Sequence, residues 1–349
     1  MPFVLMYSLK YKIMKPTDFS KYLTDFLIKY LPHEKGARTN TIYSYKDTFI
    51  LYLRYMKELG IKAEQITMSM ITKDNVISFL DWLETERKCT ASTRNLRLAA
   101  IRSFVKYVQY RNPDKISAYN QVITIENKRT NTNLVKYLTI EGIQLLLEQP
   151  DINRKRGRRD LAILSLMYDT GARVSEIVNL SPSSIRFSKP YSVCITGKGG
   201  KSRIVPIMEK QLDILKKYME ENNLLSAKYT QHPLFPNTWG EKLTRAGISN
   251  ILNIYVQKAR KKNPVLIPEG ISCHSLRHSR AMHLLQAGVE LIYIRDFLGH
   301  SNVQTTEVYA RADSKMKREA IEKAYIKVIP ETEPIWQNNE TLMDFLKSF

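Results

Sequence analysis

Apolar positions recur at three- and four-residue spacing along most of this chain, the signature of helices with one buried face. Phe19, Tyr22, Leu23, Phe26, Leu27 and Tyr30 form the first such stripe. A second helix is expected over 43–59, closed by Gly60 just past its end. A third is expected over 72–86, with Val76, Phe79, Leu80 and Leu83 turned inward. A fourth is expected over 91–110, with Arg94, Arg97 and Arg102 toward its outside. The periodicity then lapses. From Asn112-Pro113 to Asn133 the chain is polar, ending in Asn127-Lys128-Arg129-Thr130-Asn131-Thr132-Asn133, and reads as a linker over 113–135.

The pattern restarts at Leu138, with Thr139, Gly142 and Ile143 opening a helix. Residues 154–160 (RKRGRRD) read as a basic loop, followed by buried helices over 161–168 and 174–180. Two short β-type runs, 191–196 and 203–207, flank Gly197-Lys198-Gly199-Gly200 and predict a hairpin. Helices return over 211–221, 247–261, 274–287 and 290–298, with Gly288 and Gly299 at cap positions. Ser301 and Gln304 suggest a capping box for a last helix carrying Tyr309. The expected fold is mainly α with a small β-sheet (α+β). It divides into an extension at 1–17, a helical bundle at 18–112, the linker, a mostly helical domain at 136–329 and a tail at 330–349. In the tail, Leu342, Phe345, Leu346 and Phe349 stripe a short acidic helix that can dock in cis or on a neighbouring subunit.

Charge narrows the partner. Lys and Arg number 54 against 34 Asp and Glu, a net charge of +20. The first 110 residues hold 18 basic and 10 acidic side chains and the rest 36 and 24, so both halves are basic. That distribution suits two domains closing on a polyanion such as duplex DNA. Arg94, Arg97 and Arg102, on an outward helix face, are expected at DNA phosphates. Cys89, Cys194 and Cys273 are scattered and odd in number, which points to a reducing compartment, the cytoplasm. No apolar run is long enough to span a membrane, and no signal peptide is read at the N-terminus.

The chemistry concentrates in a set of polar residues: Arg173 and Glu176 in TGARVSE, Lys198 in GKGGK, His274 and Arg277 in HSLRH, His300 in LGH, and Tyr309. Paired guanidiniums can hold phosphate oxygens through forked hydrogen bonds. A tyrosine can attack, and a lysine and histidines can move protons, so phosphodiester attack without metal or cofactor is accounted for. Lys201 rivals Lys198, since both lie in one turn, and Arg203 follows on the next strand as a further DNA contact. Each residue has a plainer reading when taken alone: an ion pair for Arg173 with Glu176, a helix cap for His300, a packed core tyrosine for Tyr309. Cys273, His274 and His278 resemble half a zinc site, but no paired cysteines or HExxH pattern completes it. The GKGGKS run is too short for a nucleotide phosphate loop and leads into a strand.

Taken in order, the six residues Arg173, Lys198, His274, Arg277, His300 and Tyr309 resemble the tyrosine recombinases, also called phage-type integrases, over roughly 138–325. The N-terminal helices resemble that family's core-binding, SAM-like domain. The resemblance implies a site-specific recombinase that needs no cofactor. Tyr309 would form a 3′-phosphotyrosyl link, and two rounds would exchange strands through a Holliday junction. Arg173, Arg277 and His300 would bind the phosphate, Lys198 would be the general acid, His274 would assist, and Glu176 would orient its neighbours. It also implies duplex DNA with inverted-repeat core sites, a tetramer in synapsis, an accessory bending or directionality factor, and a bacterial-type, nucleoid-associated location. A type IB topoisomerase-like enzyme and a non-catalytic DNA-binding accessory protein are the alternatives. Relaxation without strand exchange marks the first, and indifference to loss of Tyr309 the second.

Overall fold

The computed structural model describes residues 15–130, 135–197, 199–300, 302–312 and 342–348, and divides the chain into two compact units, residues 1–132 and 133–349. In the first unit, α1 (Asp18–Asp25) begins where the Thr17 side chain accepts from the Ser20 N–H, and runs into a π-helical segment, Phe26–Glu34. That segment contains Pro32, which has no N–H to donate and crowds the carbonyl one turn back, so a wider turn relieves it. Then come α2 (Thr39–Glu58), α3 (Lys73–Thr85) and α4 (Ala91–Arg111), the last two capped by Thr72 and Thr90. Phe19, Phe26 and Phe49 set their edges against the Phe104 ring at 5.8, 5.3 and 5.0 Å, an aromatic centre for this bundle.

Two expectations are corrected here. The stretch read as linker is folded in part. Residues 113–115 make a 3-10 turn, α5 (Ile116–Ile123) follows, and Tyr119, Val122 and Ile125 are buried in the bundle core. Ile123 packs partly against the same core, so a short apolar run seats the segment. The arginines of α4 also do not form an outward face. Arg94 is 8% exposed and faces Glu84 at 3.5 Å. Arg97 donates to the Ser44 carbonyl and the Thr48 hydroxyl, and Arg102 to Asn127 Oδ1. Because α4 packs against α2, α3 and α5, its arginines tie neighbouring segments together inside the unit.

The second unit is built around α7 (Lys155–Thr170), whose Ala162 to Met167 are all buried. Helices α6 (Ile140–Leu147), α8 (Val174–Val178), α9 (Glu209–Glu221), α10 (Arg245–Lys262) and α11 (Cys273–Gln286) complete most of the core. The RKRGRRD run, expected as a loop, forms the first turns of α7 because acidic partners wait beside it. Arg158 pairs with Glu221, and Asp160, 2% exposed, accepts from Arg159 and from the Tyr255 hydroxyl.

The hairpin forms as β2 (Ser192–Thr196) and β3 (Ser202–Pro206), antiparallel, with Ile195 opposite Arg203. A short strand that the pattern did not reveal, β1 (Ile185–Arg186), pairs with β2 to give the order β1-β2-β3. Alternation on β3 puts Arg203 on the inward face with Val205 while Ile204 is 75% exposed. The final described layer is α12 (Leu291–Leu298), ended by left-handed Gly299, and α13 (Gln304–Ala312). Asn302 accepts from the Gln304 N–H at the start of α13; Ser301 lies outside the described residues. A tail helix, α14 (Leu342–Lys347), exposes Leu346, and Phe349 lies outside the described residues.

Candidate active site

The site is assembled at the ends of helices. α7 stops at Gly171, left-handed at φ +57°, and α12 stops at Gly299, φ +67°. Both leave carbonyls without intrahelical partners, which carry the partial negative charge of a helix C-terminus. Arg277, 3% exposed on α11, fills that gap: Nη1 donates to the Gly171 carbonyl at 2.6 Å and Nη2 to the Leu298 carbonyl at 2.7 Å. Two of its five N–H groups are thereby used, and three remain for another ligand. Burial is the main cause that lowers its pKa, to about 10, with Arg173 adding to it, so Arg277 stays charged at neutral pH.

Arg173 sits at the N-cap of α8, and Glu176 one turn on reaches back to it. Glu176 Oε2 accepts from the Arg173 backbone N–H and Oε1 from Arg173 Nη1, each at 2.9 Å. Arg203 grips the same carboxylate with both prongs, Nη1 to Oε1 at 3.1 Å and Nη2 to Oε2 at 2.8 Å, while its Nε donates to the Phe297 carbonyl. Glu176 is 4% exposed. That burial pushes its carboxyl pKa up, but the bonds from Arg203 and Arg173 outweigh it and hold the pKa below the ordinary carboxylate value. One carboxylate between Arg173 and Arg203, with Arg277 alongside, leaves the site net positive. A positive, preorganised pocket is suited to stabilise charge developing on a phosphoryl group. Arg203 was expected at DNA. The structure places it on the inward face of β3, where it fixes Glu176.

Tyr309 is carried on α13 and is 2% exposed, its ring packed with Ala281, Met282, Leu285, Ile294 and Leu298. Its hydroxyl is 2.9 Å from His278 Nδ1. The His300 ring stacks on the Tyr309 ring at 6.4 Å and 15°, and its Nδ1 is 3.0 Å from the buried Thr306 hydroxyl. Burial raises the Tyr309 pKa, opposed by Arg277 and Arg173. Burial also lowers His278 and His300 to about 4 each, so both rings are neutral at neutral pH. Arg173, His274, Arg277, His278, His300, Thr305, Val308 and Tyr309 together line one cleft of about 270 Å³.

Five of the six principal residues thus converge. The sixth, Lys198, lies outside the described residues. Its turn closes through the Gly197 N–H donating to the Lys201 carbonyl, with Gly199 and Gly200 at positive φ and Lys201 exposed. The half zinc site does not assemble, since His278 turns to Tyr309 and Cys273 to Ser249. Sequence reasoning weighed His278 only as half of a zinc site and did not single out Thr306. The signal for His278 was available, because it follows Arg277 directly and shares a helix face with His274, four residues back.

Known proteins match this picture along the chain. Residues 136–316 match the phage integrase family, and residues 24–112 the phage integrase N-terminal SAM-like domain. A putative integrase/recombinase, y4rC, of Sinorhizobium fredii is 34% identical over 88% of this chain and 92% of its own length. Tyrosine recombinase XerD of Oceanobacillus iheyensis is 33% identical over 83% of this chain and 93% of its own. Among solved structures, the XerH site-specific recombinase bound to palindromic difH substrate shares the fold, with a TM-score of 0.68 at 22% identity over 86% of this chain and 84% of that one. The Tn1549 transposon integrase in complex with transposon right end DNA does so at 0.66 and 16%, over 86% and 98%. With its fold, its arginine-rich cleft and its sheltered tyrosine, the chain belongs to the phage integrase family and is a tyrosine-type site-specific recombinase.

Proposed function

We propose that the cleft holds a scissile DNA phosphate between Arg173, Arg277 and His300 while Tyr309 attacks it. A bond forms between Tyr309 Oη and phosphorus, and the bond to the sugar 5′-oxygen breaks. The 3′-phosphotyrosyl link conserves the energy of the phosphodiester, so a 5′-hydroxyl from a partner strand can reverse the step without ATP. His274, exposed at the cleft, assists proton movement, and Glu176 orients Arg173. Lys198, or its neighbour Lys201, protonates the departing 5′-oxygen. The observation that carries this reading is the pinning of Arg277 by two helix-end carbonyls in the cleft that Tyr309 lines.

Two basic units suit a clamp around one half of an inverted-repeat core site, with four protomers meeting in a synapse. The acidic, apolar tail is suited to dock on the next protomer, and an accessory protein would set direction. The three separated cysteines suit a reducing cytoplasm. Among the described residues no helix is long and apolar enough to cross a membrane.

The test is recombination itself. Duplexes captured covalently by the protein from a randomised nicked pool are cloned in pairs on one plasmid, and deletion or inversion between them is scored. Wild-type protein should exchange the sites and Tyr309→Phe should not. Relaxation of the plasmid without exchange would transfer the chemistry to a topoisomerase-like role.

A further inference from the structure

The cleft holds three histidines and one tyrosine hydroxyl, and the geometry separates their roles. His300 lies near parallel to the Tyr309 ring, offset at 6.4 Å, with its Nδ1 at 3.0 Å from the Thr306 hydroxyl, so that nitrogen is directed to Thr306 and not to the tyrosine hydroxyl. His274 is exposed, and its ring lies 6.1 Å from that of His278. His278 alone, among the described residues, is the histidine hydrogen-bonded to the tyrosine hydroxyl, at 2.9 Å. It is half-buried on α11, one residue past Arg277. In the tautomer that carries the imidazole proton on Nε2, Nδ1 accepts this bond from the Tyr309 phenol.

We propose that His278 is the general base of the cleavage step, taking the Tyr309 phenolic proton on Nδ1 as Oη bonds to phosphorus. This rests on the recombinase reading of the cleft. The proton leaves Oη for Nδ1, the electron pair of the O–H bond becomes the O–P bond, and the P–O5′ pair leaves with the 5′-oxygen, protonated from the lysine turn. In rejoining, the imidazolium returns the same proton to Oη as the tyrosine departs. The groups that face His278 are His274 and Arg277 on its own helix, Tyr309 on α13, and Arg173 and His300 across the cleft. Burial first, and then His274 and Arg277, disfavour imidazolium, and a DNA phosphate seated among the arginines supplies the negative charge that favours it. The base therefore becomes competent when substrate arrives.

The experiment compares wild type, His278→Ala and His278→Asn on a nicked duplex that the wild-type protein captures from a randomised pool. Each is also tested on the same duplex with sulfur in place of the bridging 5′-oxygen. Asparagine can place its amide oxygen near the Nδ1 position and accept the hydroxyl bond, but it cannot take up the proton. Both variants should bind DNA as wild type does and cleave about 100-fold or more slowly. A thiolate leaves without a proton, so the sulfur substrate should not restore either variant, whereas it should restore a variant lacking the lysine acid. Wild-type cleavage by His278→Asn, or rescue of either variant by sulfur, overturns the assignment. Failure of the wild-type protein to form any adduct overturns the recombinase reading and this inference together.

Discussion

Arg203 and Glu176 meet in a two-pronged pair, Nη1 to Oε1 at 3.1 Å and Nη2 to Oε2 at 2.8 Å, with Arg203 on a strand and Glu176 on a helix. The pair is nearly dry: the side chains are 12% and 3% exposed. Its significance is what it leaves for Arg173. Glu176 also accepts from Arg173 Nη1, so the orientation of a guanidinium that lines the cleft depends on a carboxylate held from the far side by Arg203.

Arg203→Ala leaves Glu176 buried with one guanidinium fewer. Breaking one partner of a buried pair costs about 3 kcal/mol or more. Denaturant unfolding should show a loss of that order, and covalent capture of DNA should slow even at saturating DNA. Arg203→Lys should recover part of the stability but less of the rate, because a point charge cannot make both prongs of the fork.

Arg277→Lys tests the helix-end clamp. Lysine lacks the planar fork that reaches both the Gly171 and Leu298 carbonyls and still presents N–H groups to a phosphate. Cleavage should fall about 100-fold or more, the scale for losing one preorganised donor, with a smaller change in DNA affinity. Single-turnover cleavage beside a binding titration separates the two.

Stability should depend on pH in a defined direction. His278 and His300 are lowered from 6.5 to about 4 by burial first and neighbouring cations second. The unfolded chain therefore takes up protons before the folded one does. The stability these rings contribute is present above pH 6.5 and lost as pH falls toward 4. Glu176, also lowered, adds a loss of the same sign that begins below its ordinary value of 4.5. Melting temperatures measured from pH 7.5 down to 4.5 should decline, and His278→Asn should flatten the decline.

Gly299 is required by geometry on two counts. Its φ of +67° disfavours any side chain, and a Cβ there would stand 3.0 Å from Arg203 Nη1. Gly299→Ala should destabilise by about 1 kcal/mol or more from backbone strain and push Arg203 off Glu176. The melting temperature should fall together with the cleavage rate.

Much of this was legible in the sequence because helical periodicity is strong and the candidate site residues stand in a recognisable order along the chain. The helix carrying Val76, Phe79, Leu80 and Leu83, and the hairpin around Gly197 to Gly200, form where the pattern put them. What failed did so for tertiary reasons. Arg94 and Arg97 read as residues on an outer helix face, but α4 is covered on several sides, Arg94 is buried facing Glu84, and Arg97 finds internal acceptors. Residues 116–123 looked like linker because the polar residues on either side outweighed a short apolar run in which Tyr119 and Val122 are buried. The RKRGRRD run looked like a loop because Glu221, 63 residues beyond Arg158, could not be seen beside it. Arg203 gave a usable signal in its alternation with Val205, which marked it as inward-facing. No local pattern pairs His278 with a tyrosine 31 residues later; that contact exists only once α11 and α13 are packed.

The most direct test of the central claim is to identify the atom that holds the DNA. The protein is incubated without metal on a captured nicked duplex, stopped in SDS, and digested with protease and nuclease, and the nucleotide-bearing peptide is read by mass spectrometry. A nucleotide 3′-phosphate on Tyr309, absent from Tyr309→Phe, is the predicted result. A nucleotide on any other side chain, or an adduct that persists in Tyr309→Phe, would contradict the assignment of this cleft as the place where the strand is cut.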